Sequence, residues 1–270
     1  MSTENIIKSA ILIVAICTGC SVKESREECP SFLNVTLKSN ENVSGVANLY
    51  GWTSQEVFRG DVDILPEEST WVRPVHKEMI ILSAVAGRRS VLVDGHRIVI
   101  PYGQQVDSLY ANHQQVDCTG EEAFADVVFQ KQFCTVHLDI NQTSSNLSAF
   151  RFEVDGNSSG FDLLDFSVCE GPYHFEPVPV RGARVVDFRV PRQKDESLTV
   201  RLSCLDPSVK SGEYVDMGVV PLGEYIAKTG YDWSAEALQD IYVRADFQRL
   251  TVTVSVADWE DGVTFKLIEQ

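Results

Sequence analysis

The sequence predicts an all-β protein made of antiparallel β-sandwich domains. Apolar and polar residues alternate with period two in one stretch after another, the pattern of strands with one face on a core and the other in water. These runs are short, and clusters of Gly, Pro, Asn and Asp separate them, as tight turns require. Helical periodicity is almost absent, and no fixed-period repeat is visible. With 44% hydrophobic and 9% aromatic residues the chain has ample material for packed cores. Its 270 residues suit about two domains.

The first segment stands apart from that fold. Lys8 precedes an apolar run, Ala10 to Ile16, and the small residues Thr18 and Gly19 follow it. Spanning the hydrocarbon core takes roughly 20 apolar residues, so the run is read as a secretory signal, with Glu4 an unusual acidic residue in its n-region. Cys17-Thr18-Gly19-Cys20 is similar to a bacterial lipobox, in which the last cysteine is acylated and becomes the mature N-terminus. An ordinary signal peptide with a chance cysteine is the alternative. On the lipobox reading residues 1–19 are a lipoprotein signal peptide, Cys20 is the lipidation site, and residues 20–29 form a charged, solvated tether. Several acyl chains on one residue anchor firmly, at about 0.8 kcal/mol per buried methylene. The protein is then membrane-bound without crossing.

Beyond the tether, Leu33, Val35 and Leu37 share one strand face. Two strand-like runs in Ser90 to Ile100 flank Asp94-Gly95, a hairpin signal because glycine accepts the positive φ of the turn. Cys134, Val136, Leu138 and Ile140 alternate with polar residues, as do Phe150, Phe152 and Val154. So do Leu198, Val200, Leu202 and Cys204, and later Leu250, Val252, Val254 and Val256. Only Ser234 to Asp240 and Gly120 to Ala125 suggest short helical turns. The segment Glu170 to Gly182 carries three prolines and two glycines. A domain boundary is expected there, between a sandwich over 30–170 and another over 171–270.

The formal net charge is -16 at pH 7, which excludes a nucleic-acid partner, since phosphate binding relies on clustered Lys and Arg. Apart from Cys17 and Cys20 there are five cysteines, Cys29, Cys118, Cys134, Cys169 and Cys204, without zinc-like spacing. Bridges among them stay open, although the odd number leaves at least one thiol. The five histidines show no metal spacing either, and no cofactor or metal is expected. Gly156-Asn157-Ser158-Ser159-Gly160 matches the G-x-S-x-G nucleophile elbow in letters. No helix start follows it, however, and His174 is the only later histidine, so the stretch is read as a turn. The same loop places Asp155, Asn157 and Ser159 at calcium-ligand positions but has Phe166 where a bidentate carboxylate belongs. No residue is assigned a catalytic role.

Taken in order, several motifs resemble the FimB/Mfa-type fimbrial anchor and accessory subunits of Bacteroidota, within the fimbrillin superfamily. They are Cys20 through Cys29-Pro30; Ile100-Pro101-Tyr102-Gly103 with Asp107-Ser108-Leu109-Tyr110; Val190-Pro191-Arg192-Gln193; and Gly230-Tyr231-Asp232-Trp233 with Leu238-Gln239-Asp240-Ile241, Arg244-Ala245-Asp246-Phe247 and Trp259. The resemblance implies two transthyretin-like β-sandwich domains and no catalytic residue or cofactor. It also implies a non-enzymatic lipoprotein on the outer face of the outer membrane that joins a fimbrial shaft to the cell. Fimbrillins are thought to polymerise by passing a strand between subunits, main-chain bonds giving affinity and alternate side chains filling pockets. An anchor of this kind would keep its own first strand, Phe32 to Leu37. The tail, with Val263, Phe265 and Leu267 on one face, would serve as a donor strand or pair within its own domain. Asp107-Ser108-Leu109 resembles the Bacteroidota O-glycosylation motif, with Ser108 the acceptor. A tip subunit and a surface glycan-binding lipoprotein are the alternatives, the second using Trp52, Trp71, Tyr102 or Tyr110.

Overall fold

A computed structural model describes residues 29–38, 43–141, 149–180, 183–205, 212–246, 249, 251–258, 260 and 262–266. Cys20, the tether up to residue 28, Phe247, Trp259 and Leu267 lie outside them. The architecture is all-β, as the alternation predicts, and consists of sandwich domains.

In chain order the first strands are β1 (Ser31–Lys38), β2 (Gly45–Trp52), β3 (Val57–Ile64), β4 (Glu68–Val75), β5 (Met79–Ala86), β6 (Leu92–Asp94), β7 (Arg97–Val99), β8 (Tyr110–Asp117), β9 (Glu122–Val128) and β10 (Gln130–Lys131). A three-stranded sheet, β4-β1-β9, faces a five-stranded one, β10-β8-β5-β2-β3. Leu33, Val35 and Leu37 of β1 are fully buried against Leu49, Ile80, Leu82 and Val127, which accounts for the alternation read in the sequence. Each such side chain contributes about 1.5–3 kcal/mol by leaving water. β1 lies in the middle of its sheet, antiparallel to β4 and parallel to β9.

The second set comprises β11 (Phe133–Asn141), β12 (Phe150–Gly156), β13 (Gly160–Asp162), β14 (Val168–Cys169), β15 (Tyr173–Phe175), β16 (Val185–Pro191), β17 (Thr199–Leu205), β18 (Tyr214–Val220), the helix α1 (Leu222–Lys228), β19 (Ile241–Asp246), β20 (Thr251–Val256) and β21 (Val263–Lys266). Their sheets are ordered β16-β11-β19-β20-β21 and β15-β12-β17-β18. Phe152, Val154, Phe188, Leu202, Val243 and Val254 fill the space between them, and Leu222, Tyr225 and Ile226 of α1 close one end.

Two expectations are corrected here. Strands on both sides of Glu170 to Gly182 share sheets, because β11 pairs with β16 and β19, and β12 with β15 and β17. Apart from one small sheet that β13 and β14 share with β6 and β7, the sheets change over at Gln132 rather than between residues 170 and 171. Within that segment β15 belongs to one sheet of the second sandwich, Glu176 to Val180 follow it without strand structure, and the next strand, β16, belongs to the other sheet. Proline cannot donate to a ladder, and so the strand stops there. Secondly, Gly120 to Ala125 leads into β9 instead of a helical turn, with Ala123, Ala125 and Val127 inside and Phe124 73% exposed outside. Trp233 and Ser234 form a turn, residues 235–237 bend, residues 238–240 are irregular, and the helix lies earlier, in α1.

A small sheet, β14-β13-β7-β6, joins the halves. The Asp94-Gly95 hairpin expected from sequence supplies β6 and β7, with Gly95 at φ 60°. Gly160 in β13 sits so close to β7 that a Cβ there would lie 1.8 Å from the Ile98 carbonyl oxygen. Ile98, Phe161 and Leu163 belong to one buried cluster with Tyr50 and Val85 of the first sandwich and Val136 and Phe188 of the second. Ser83 Oγ donates to the Leu163 carbonyl at 2.5 Å, and Arg189 Nε donates to that of Val106 at 3.0 Å. The apolar cluster of the second sandwich therefore extends onto one face of the β10-β8-β5-β2-β3 sheet through Tyr50, Val85 and Ala111, while the core between the other face of that sheet and β4-β1-β9 is a separate cluster.

Candidate functional site

The residues singled out in the sequence divide into those explained by folding and those at exposed ends. Ser158 is fully buried, and its hydroxyl donates to the Arg192 carbonyl at 2.7 Å. A nucleophile needs an accessible hydroxyl beside a base, and this serine instead braces a loop. The three calcium-ligand positions are likewise engaged within the chain. Asp155 lies 2.8 Å from His174 Nδ1, Asn157 Nδ2 donates to Asp195 at 3.0 Å, and Ser159 Oγ donates to the Glu170 carbonyl at 3.1 Å. Among the described residues no cluster of His, Cys, Asp or Glu could hold a metal ion. The five cysteines there are unpaired, and burial pushes the Cys118 thiol up to about 11 and that of Cys134 to about 12.

Ser108 lies half-buried between two anchored neighbours. Asp107 is 6% exposed and accepts bonds from the amides of Arg89 at 2.7 Å, Ser90 at 2.7 Å and Val91 at 3.0 Å, and from Ser90 Oγ at 2.8 Å. Burial works to raise its pKa, but these four donors together hold the carboxyl below the usual range. Leu109 is buried as well. Folding alone thus accounts for the Asp and the Leu of that tripeptide.

The tail is paired within its own sheet. β21 lies antiparallel to β20 at the edge, with Val263 opposite Val254 and Phe265 opposite Val252. Val263 remains 42% exposed, while Phe265 stacks on Tyr225 with ring centres 4.5 Å apart. Trp52, Trp71, Tyr102 and Tyr110 do not form one platform. Trp52 stacks on Tyr50, Trp71 tilts against Phe58, Tyr102 lies over His174, and Tyr110 meets Phe133 edge-on.

A feature absent from the sequence reading is a cleft of about 820 Å³ where the halves meet. One wall comes from β8 and β10, with Asn112, His113 and Gln130; another from the turn between β13 and β14, with Asp165, Phe166 and Ser167; and a third from the loops after β16 and α1, with Lys194, Asp232, Trp233 and Glu236. At its base the Arg192 guanidinium donates to the Trp233 carbonyl, to that of Ala235 at 2.8 Å and to Gln132 Oε1 at 2.8 Å. Gln132 Nε2 in turn donates to the Glu236 carbonyl at 3.1 Å. Asp165 and Asp232 are each held below the usual carboxylate range, first by the side chain and then by the amide of Ser167 and Ser234 respectively. Phe166 has a φ of 57°, and its ring lies 5.2 Å from His113 and 5.3 Å from Phe161.

Two consecutive sandwiches joined by a small shared sheet define the class of protein by its fold. No protein-family model matches the chain, and no curated protein matches it either. Solved structures do. A Bacteroides thetaiotaomicron protein described as a candidate polysaccharide-binding protein has a TM-score of 0.62 at 15% identity, over 88% of this chain and 99% of that one. The fimbrial anchor protein Mfa2 of Porphyromonas gingivalis has 0.59 at 9% identity, over 86% and 98%. A candidate adhesin of Bacteroides thetaiotaomicron has 0.58 at 12%, over 89% and 99%. The chain therefore has the fold of Mfa-type fimbrial proteins of Bacteroidota.

Proposed function

We propose that the protein is a non-enzymatic, surface-exposed lipoprotein of the outer membrane, acylated on Cys20, that holds a fimbrial shaft to the cell. One observation carries this reading. The strand that follows the tether, β1, is the central strand of its sheet, paired on both sides and buried through Leu33, Val35 and Leu37. Cleavage after it would open the core and release the body from the lipid, so a subunit built this way keeps it and stays at the base of the fibre. The likeness in fold to a fimbrial anchor protein supports the reading.

The partner is the adjacent shaft subunit. β21 is the element available to reach it, since it is a four-residue edge strand whose ties outside its ladder are few: Phe265 against Tyr225 and Lys228, the Tyr225 hydroxyl on the Lys266 carbonyl, and Thr264 on Thr253. Pairing within its own sheet is its resting arrangement. Replacing Cys20 by Ala in the native host tests the role. Normal fibres shed into the medium are expected, whereas fibres that remain on the cells would reject the anchor in favour of an accessory or tip subunit.

A further inference from the structure

We infer that the cleft between the two sandwiches is a binding site for a neutral glycan. Its volume of about 820 Å³ falls within the range of roughly 300–1,000 Å³ typical of ligand sites, and it lies where such sites commonly form, between domains. The lining favours a ligand with both C–H faces and many hydroxyls. Trp233 and Phe166 supply aromatic surface for the apolar face of a sugar ring. Asp165, Asp232 and Glu236 are hydrogen-bond acceptors, and an ionised carboxylate offers about four lone-pair sites for hydroxyl protons.

Charge then selects among glycans. Of the two cations that line the cleft, Lys194 is paired with Glu170 at 2.5 Å, and Arg192 spends its donors on carbonyl oxygens and an amide. Arg192 keeps its positive charge, but three carboxylates stand against it and the net charge of the lining is negative. It disfavours uronic, sialylated, sulfated or phosphorylated sugars, because bringing like charges together in a partly desolvated site is costly.

Two further features indicate a prepared site. Arg192 and Gln132 bind the backbone of residues 233, 235 and 236, so that Trp233 is carried on a loop whose ordering is already complete before a ligand arrives. Phe166 holds a left-handed backbone conformation that costs a bulky side chain about 1–2 kcal/mol, at a turn position glycine would occupy without strain. The ring at that position is what the strain preserves, and it faces the cleft beside His113.

This inference is independent of the role in fibre assembly, because the purified chain alone tests it. The protein is applied to a printed panel of neutral and acidic glycans, and hits are titrated by calorimetry. Neutral glycans are expected to bind in preference to acidic ones. Trp233→Ala and Glu236→Gln are each expected to weaken binding at least tenfold. Glu236 contributes only its main-chain carbonyl to the loop bonds, so Glu236→Gln should leave the thermal melt unchanged even if Trp233→Ala loosens the loop. Binding to no glycan on the panel, a preference for acidic glycans, or unchanged affinity in Glu236→Gln would each overturn the assignment.

Discussion

Replacing Asp107 by Ala removes the acceptor of four hydrogen bonds that pin residues 89–91, the connection leading into the β6–β7 hairpin. Bonds to a charged group contribute about 1.5–3 kcal/mol each, and a buried donor left unpaired costs about 1–3 kcal/mol. Arg89 is exposed and Ser90 half-exposed, so water replaces part of what their amides lose, but the buried Val91 amide has no such recourse. The expected net loss is about 3 kcal/mol, read as a fall of about 1 M in the urea midpoint. Asp107→Asn should lose nearly as much, because an amide offers one acceptor oxygen and sets an N–H against the loop. The pH dependence has a definite sign. The folded pKa lies below the unfolded value of about 3.9, so this stabilisation is fully present above that value and disappears as pH falls through the lower, folded one. Wild type and Asp107→Asn should therefore converge in strongly acidic solution. A midpoint for Asp107→Ala within about 0.2 M of wild type at pH 7 would refute the reasoning.

Ser158→Ala should cost about 1 kcal/mol through loss of its bond to the Arg192 carbonyl, and a fluorophosphonate probe should not label Ser158 in the wild type; labelling there would show an accessible nucleophile and overturn the turn reading. Gly160→Ala should destabilise by more than about 3 kcal/mol, since its Cβ meets the Ile98 carbonyl oxygen at a φ of 149°. Gly95→Ala, with open space around the new atom, should cost only about 1 kcal/mol, and equal melting temperatures for the two variants would contradict the tight packing of the joining sheet. Deleting residues 263–270 should lower stability by about 2 kcal/mol as Phe265 leaves Tyr225, with the remaining fold retained by circular dichroism. Loss of shaft binding in that folded variant supports strand donation, and a misfolded product counts against it.

The strands with buried aliphatic faces were legible because their pattern is local. β1, β11, β12, β17 and β20 each write their burial as alternation, and Asp94-Gly95 writes its turn. β9 leaves no clear strand pattern in the sequence, because its large side chain, Phe124, points outward while alanines point in. α1 is too short for a 3.6-residue period to register, though Leu222, Tyr225 and Ile226 form its buried face. Pro and Gly do not mark a boundary by themselves, because they punctuate a crossover within a sandwich as readily as a linker between two. The cleft could not be read at all. Its residues come from positions 111 to 236, they are ordinary amides, acids and aromatics, and the backbone conformation of Phe166 leaves no mark in the letters.

The placement of β1 has a mechanical consequence. Tension entering through the N-terminal segment acts along a strand bonded on both flanks, to β4 through its whole length and to β9 from Phe32 to Lys38. A pull along that axis loads these ladders in shear, so that many bonds must yield together rather than one at a time. β21 is paired in its sheet with β20 alone, and a pull on its end opens that ladder bond by bond once Phe265 leaves Tyr225. The same domain pair thus resists force at its N-terminal end while leaving its other terminal strand easy to peel away.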